Sequence, residues 1–140
     1  MKRTIGKGGF VWSVIAVVVL ASCAPTLLGR AKQSAAVSNS IYESLNPQVV
    51  DGITEIVQKD RAGTITAADR ERLRSLNELR KGLDDYAAAH NLFVEAIKTW
   101  ESTGTEPGNA VLLENQILNL INRAITLAGQ LGLKLPPGLR

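Results

Sequence analysis

Two side chains are candidates for chemistry, because Cys23 is the only cysteine of the chain and His90 the only histidine. A thiolate can act as a nucleophile or a metal ligand, and an imidazole can bind a metal or carry a proton near neutral pH. Neither residue has the neighbours that such chemistry needs. There is no Gly-rich phosphate loop and no metal-ligand spacing, and a Ser/His/Asp arrangement would have to use His90. We therefore expect no enzymatic activity, no metal site and no cofactor.

The residues before Cys23 follow the order of a secretory signal. Lys2, Arg3 and Lys7 make a basic start, and an apolar run from Phe10 to Ala21 follows, interrupted only by a serine. As a helix this run would reach about 18 Å, well short of the roughly 30 Å of bilayer hydrocarbon. We expect an export signal over residues 1–22 that is removed. The alternative is an uncleaved signal anchor, in which the apolar run extends to Leu28.

The residues around Cys23 resemble a known processing site. Leu20-Ala21-Ser22-Cys23 is similar to the lipobox of bacterial lipoproteins, in which an aliphatic residue and two small residues precede a cysteine. The resemblance implies a diacylglycerol on Cys23, cleavage before it and, in many bacteria, acylation of the new amine. Ala24 follows in place of the Asp that often marks inner-membrane retention in enterobacteria. The resemblance thus implies the periplasmic leaflet of an outer membrane, in a host that has one.

The charge of the chain is concentrated in this first segment. The formal net charge is +3, from 16 basic and 13 acidic side chains. Three of the basic residues precede Cys23 and none of the acidic ones do, so 13 basic and 13 acidic side chains remain after it. A basic face is the usual requirement for nucleic-acid binding, and we expect no nucleic-acid partner.

Beyond Cys23 the pattern predicts helices. Apolar residues recur at three- and four-residue steps from Thr26 to Leu45, and Pro47 either starts a second helix that runs to about Lys59 or lies within one kinked helix. A turn over residues 60–66 contains Gly63. The longest helix is expected from Thr66 to about Ser102, and the last from Ala110 to Leu131.

The longest helix carries a heptad pattern. Two series of residues repeat every seven positions, offset by three, and they predict a seam of helix-on-helix packing. The seam consists of Leu76, Leu79, Leu83, Tyr86, His90, Phe93, Ile97 and Trp100. Because His90 lies inside this seam, we interpret it as a packing or interface residue that needs a hydrogen-bond partner rather than as a ligand.

The last helix is apolar over most of its circumference. Such a face suits packing against two neighbouring helices, and it also suits burial against a protein partner or a second copy of the chain. Gly132 is expected to end the helix, and the prolines that follow predict an extended tail. We therefore expect an all-α fold, a small antiparallel bundle of three main helices, divided as signal peptide 1–22, lipidated tether 23–30, bundle 31–131 and Pro-rich tail 132–140.

These features predict a non-catalytic protein of the bacterial cell envelope, held at the membrane by a lipid and acting through helix-mediated binding or scaffolding. Two alternatives remain open. Small lipobox proteins with short helical domains also occur among phage products, where they act in lysis or superinfection exclusion. A signal-anchored membrane protein whose bundle self-associates would explain the same apolar faces.

Overall fold

The computed structural model describes residues 26–137, and these form three helices. They are α1 (Leu27–Arg61), α2 (Ala67–Thr103) and α3 (Ala110–Gln130). Each helix contacts both of the others, and the short connections make consecutive helices antiparallel. The prediction of an all-α three-helix bundle is confirmed. The predicted signal peptide and Cys23 lie outside the described residues.

Helix α1 is continuous over 35 residues and contains Pro47. Thr26 caps its start, where the Thr26 hydroxyl accepts a hydrogen bond from the Gly29 amide at 2.9 Å. Residues 27–30 of the predicted tether are therefore helical. Pro47 has no amide hydrogen to donate to the carbonyl of Glu43, and its ring points to solvent. Of the two alternatives for this segment, the single helix is the one observed.

The connection between α1 and α2 is closed by a capping box. The Thr66 hydroxyl accepts from the Asp69 amide at 3.1 Å, and the Asp69 carboxylate accepts from the Thr66 amide at 3.0 Å. The Thr66 backbone and side-chain hydrogen bonds, followed by the one from Lys59, lower the pKa of Asp69 to about 2. Lys59, near the end of α1, contacts Asp69 at 3.2 Å and so joins the two helices.

The second connection, between α2 and α3, relies on a glycine. Gly104 follows α2 with φ of 69°, a left-handed conformation that L side chains rarely adopt, and its amide donates to the Trp100 carbonyl. The predicted limits of α2 and α3 agree with the observed ones to within one residue at each end.

The core lies along the axis between the three helices. All three helices contribute to its largest fully buried side chains. These are Ile41, Leu45, Val49 and Ile56 from α1, Leu76, Leu79, Leu83, Tyr86 and Phe93 from α2, and Ile117 and Ile121 from α3.

The segment after α3 does not leave the bundle. Leu133 and Leu135 pack against the core. The backbone of Lys134 is held by the side chain of Gln48 on α1, which accepts from the Lys134 amide at 2.9 Å and donates to its carbonyl at 2.8 Å. The tail predicted to start at residue 132 therefore belongs to the packed domain at least through Leu135.

Two helix glycines differ in their surroundings, and this difference predicts that alanine stabilises the protein less at one of them than at the other. A Cβ on Gly52 of α1 would meet the Leu76 Cδ1 atom at 3.1 Å, whereas a Cβ on Gly82 of α2 would meet nothing within 4 Å. We expect Gly82→Ala to raise the free energy of unfolding by about 0.5–1 kcal/mol, since alanine is the better helix former. Gly52→Ala should gain less or lose stability, because buried Leu76 must move. Urea denaturation measures both, and an equal gain from the two variants would contradict the close packing at Gly52.

Candidate functional site

The eight predicted seam residues lie on one side of α2, but they are not equally buried. Six of them are buried, and the remaining two, His90 and Trp100, are partly exposed. Ala89 and Ala96, which the heptad pattern does not include, are also buried. The buried side of α2 is wider than a two-column seam because this helix packs against α1 and α3 at once.

A hydrogen bond in the core joins α2 to α1. The hydroxyl of Tyr86 donates to the Ser38 hydroxyl at 2.9 Å, and both residues are fully buried. Ser38 in turn donates to the Ser34 carbonyl, one turn earlier, at 2.7 Å. A buried hydroxyl without a partner is costly, so this pair requires the two helices to keep their relative positions.

A second hydrogen bond extends the connection to α3. The buried Ser34 hydroxyl donates to the Glu114 carboxylate at 2.6 Å. A continuous polar chain therefore runs from Tyr86 through Ser38 and Ser34 to Glu114 and crosses all three helices. This chain of hydrogen bonds was not predicted from the sequence. It could have been predicted from the positions of Ser34 and Ser38. They are four residues apart on the same face of α1 as the apolar core residues, and this places both hydroxyls inside the bundle.

His90 has the partner that its position requires. Its Nε2 atom is 3.2 Å from the carbonyl oxygen of Ala35 on α1. A carbonyl only accepts, so Nε2 carries the hydrogen and donates it. The imidazole also packs on the Tyr86 ring, with the two ring centroids 5.4 Å apart. This geometry is that of a packing residue.

Tyr86 is the centre of an aromatic cluster that excludes water. Tyr42 from α1 packs on its other side, with ring centroids 5.5 Å apart. Burial raises the pKa of Tyr86 from 10.0 to about 12, because a phenolate would be poorly solvated there. The hydrogen bond to Ser38 lowers the pKa by a smaller amount.

The chemistry available to this interior is structural. The Ser38 hydroxyl donates to backbone rather than to an imidazole, and the Nε2 hydrogen of His90 is engaged by a carbonyl, so neither forms a nucleophile and base pair. Residues 26–137 hold no cluster of three or more His, Cys, Asp or Glu side chains that could bind a metal ion. Within the same range, every helix is too short or too polar to span a bilayer.

The exposed surface of α3 is the remaining candidate for binding. The helix buries one side in the core, while Val111 and Leu112 near its start are 57% and 69% exposed. An open groove of about 390 Å³ runs along its outer face and is lined by one apolar pair and several amides. Its lining residues are Leu112, Asn115, Gln116, Asn119, Leu120 and Arg123. Thus part of the apolar surface predicted for this helix is core and part is free in the single chain.

No protein-family model matches the chain, and no curated protein or solved structure is significantly similar to it.

The hydrogen bond between Tyr86 and Ser38 predicts a strongly non-additive pair of substitutions. Ser38→Ala should lower the free energy of unfolding by about 1–3 kcal/mol, because it leaves the Tyr86 hydroxyl buried without a partner. Tyr86→Phe should lower it by about 1 kcal/mol. The double variant should be less destabilised than the sum of the two, since neither polar group is then left unsatisfied. Urea denaturation of the four proteins gives the coupling energy, and additive effects would show that the bond contributes nothing.

The raised pKa of Tyr86 predicts a loss of stability in alkali. Between pH 10.0 and about 12 the unfolded chain releases the Tyr86 proton while the folded chain keeps it. The free energy of unfolding should fall through this window, by at most about 1.4 kcal/mol per pH unit from this group. Tyr86→Phe removes this contribution and should flatten the slope. Tyr42→Phe is the matched control and should keep it; an equal slope in the Tyr86 variant would refute the assignment.

Proposed function

We propose that the chain is a lipid-anchored protein of the bacterial cell envelope, attached through Cys23 and acting without catalysis by helix-mediated binding or scaffolding. The observation that carries the proposal is the position of the only cysteine, directly after Leu20-Ala21-Ser22 and at the end of a short apolar run. An exported chain with one unpaired thiol is otherwise unusual, and a thioether to diacylglycerol accounts for it.

The non-catalytic part of the proposal is supported by the surroundings of the reactive side chains. His90 bonds the Ala35 carbonyl and packs against Tyr86, while the buried serines bond one another, Tyr86 and Glu114. These contacts hold helices together, and in them the Ser34 and Ser38 hydroxyls bond a carboxylate, a carbonyl and a tyrosine rather than the His90 imidazole. Binding through surface helix faces is the activity that such a domain can offer.

Attachment by lipid has a simple energetic basis. Each acyl CH₂ group transferred to the bilayer contributes about 0.8 kcal/mol, and two or more chains make attachment stable. The small residue Ala24 after the cysteine, in place of Asp, supports an outer-membrane destination by resemblance to enterobacterial lipoproteins. The chain would then face the periplasm from the inner leaflet of that membrane.

Metabolic labelling with a palmitate analogue tests the anchor. We expect the wild-type protein to incorporate the label and Cys23→Ala to incorporate none, because the alanine lacks the sulfur atom that carries the diacylglycerol. Ser22→Ala is the matched control: it keeps a small residue at the neighbouring position and should label like the wild type. Intact-mass measurement should give a chain that starts at Cys23 with added acyl mass.

Two results would contradict this proposal. Equal labelling of the wild type and Cys23→Ala would show that no lipid is attached specifically to Cys23. An intact mass that retains Met1 and an unmodified Cys23 would instead support the uncleaved signal anchor, in which residues 10–28 hold the chain in the membrane.

A further inference from the structure

One end of the bundle brings together the start of α1, the end of α2 and the start of α3. The contact between Lys32 and Glu101 and the hydrogen bond between Ser34 and Glu114 join the three helices near this end. We call it the anchor-proximal end and define it as residues 26–32 and 98–116. It is the end from which the chain runs back to Cys23.

Three of the six exposed large apolar side chains of residues 26–137 lie at this end. Leu27 is the first residue of α1 and is 61% exposed, and it lines a groove of about 240 Å³ together with Val111. Leu112 beside Val111 is 69% exposed. Partly buried Trp100 lines the same groove. Single exposed apolar residues are ordinary on protein surfaces, but Leu27 and Val111 share one groove with a tryptophan, and Leu112 is adjacent to Val111 in the chain, which indicates a contact surface.

The length of the chain before α1 limits what can lie against this surface. Four residue steps separate Cys23 from Leu27, so the two Cα atoms are at most about 14 Å apart. A lipid on Cys23 therefore brings the bilayer surface next to the anchor-proximal end. An uncleaved apolar segment that ends at Ala21 would do the same, since six residue steps reach at most about 22 Å.

The charges at this end are balanced. Its basic side chains are Arg30, Lys32 and Lys98, and its acidic ones are Glu101, Glu106 and Glu114. Attraction to anionic lipid headgroups needs an excess of basic residues, which is missing here. A contact with the bilayer would thus depend on the apolar side chains, with the amphipathic Trp100 at the depth of the headgroups.

We infer that the anchor-proximal end itself rests on the bilayer, with Leu27, Val111 and Leu112 entering the interfacial layer, so that the bundle stands end-on on the membrane. This inference rests on the proposed lipid attachment and adds a second, protein-mediated contact to it. Its consequence is a fixed orientation, in which the α1–α2 connection and the opposite end of the bundle point away from the membrane toward other partners.

The quenching of Trp100 fluorescence by brominated lipids tests the contact. The chain has two tryptophans, so a Trp12→Phe background leaves Trp100 as the only one whether or not the signal is removed. The full-length gene is expressed in bacteria, and the intact mass of the purified protein is recorded. The protein is then placed in vesicles of phosphatidylcholine whose acyl chains are brominated near the headgroup. We expect strong quenching, unchanged by salt or by added phosphatidylglycerol.

Two matched double variants locate the contact. Val111→Gln with Leu112→Gln should reduce the quenching roughly twofold, because an interfacial helix enters the bilayer by only about 5–10 Å and polar residues there lift the end away. Val50→Gln with Val57→Gln is the control and should have no effect. Val50 and Val57 are also exposed, and Val50 lies about 35 Å further along α1. Circular dichroism checks that both variants remain helical.

The outcomes separate this inference from the proposed function. An acylated protein whose Trp100 is not quenched, or whose quenching is equal in the two double variants, would overturn the end-on contact and leave the anchor intact. Sedimentation in detergent could show a dimer that the Val111 and Leu112 substitutions dissociate. This result would assign the surface to a second copy of the chain and would also overturn the end-on contact. An intact mass that shows a protein with no acyl groups and no apolar N-terminal segment would refute the proposed function. It would also refute this inference.

Discussion

The arrangement of the three helices depends on the buried hydrogen bond between Tyr86 and Ser38. Apolar contacts are not directional, whereas the Tyr86 hydroxyl donates to the Ser38 hydroxyl at 2.9 Å in the observed alignment of α1 and α2. A shift of one turn would move the Tyr86 hydroxyl about 5.4 Å from Ser38 and break this bond, while Ser38 would keep its bond to the Ser34 carbonyl of its own helix. The bond from Ser34 to Glu114 then places α3 relative to α1. Polar groups thus specify the alignment that the apolar core stabilises.

The same alignment gives the bundle two different ends. Because α1 and α3 start at the end where α2 finishes, Leu27, Val111 and Trp100 line one groove beside the point where the chain leads back to Cys23. The opposite end has the polar α1–α2 connection, closed by Thr66, Asp69 and Lys59. The proposed end-on contact with a membrane relies on this difference between the two ends.

The spacing of apolar residues predicted α2 and α3 well because local spacing determines which side of a helix is apolar. The limits of α2 and α3, and the burial of Leu76, Leu79 and Leu83, follow from that spacing. Other features depend on contacts between distant parts of the chain. The docking of residues 133–135 on α1 requires Gln48, 86 residues before Lys134, to meet a backbone segment. No local pattern around Pro136 and Pro137 carries that information.

By itself, the sequence determined that the chain is helical, that its charge outside the first segment is balanced, and that a lipobox-like motif surrounds its only cysteine. These are properties of composition and of neighbouring residues, and they need no knowledge of the fold. Only the tertiary structure decided that α1 runs unbroken through Pro47, that Ser34, Ser38, Tyr86 and Glu114 share one polar chain, and that exposed Leu27 of α1 and Val111 of α3 line one groove. The physical reason is that a hydrogen bond or an exposed patch depends on which surfaces packing brings together, and the spacing within a single helix specifies only its own faces.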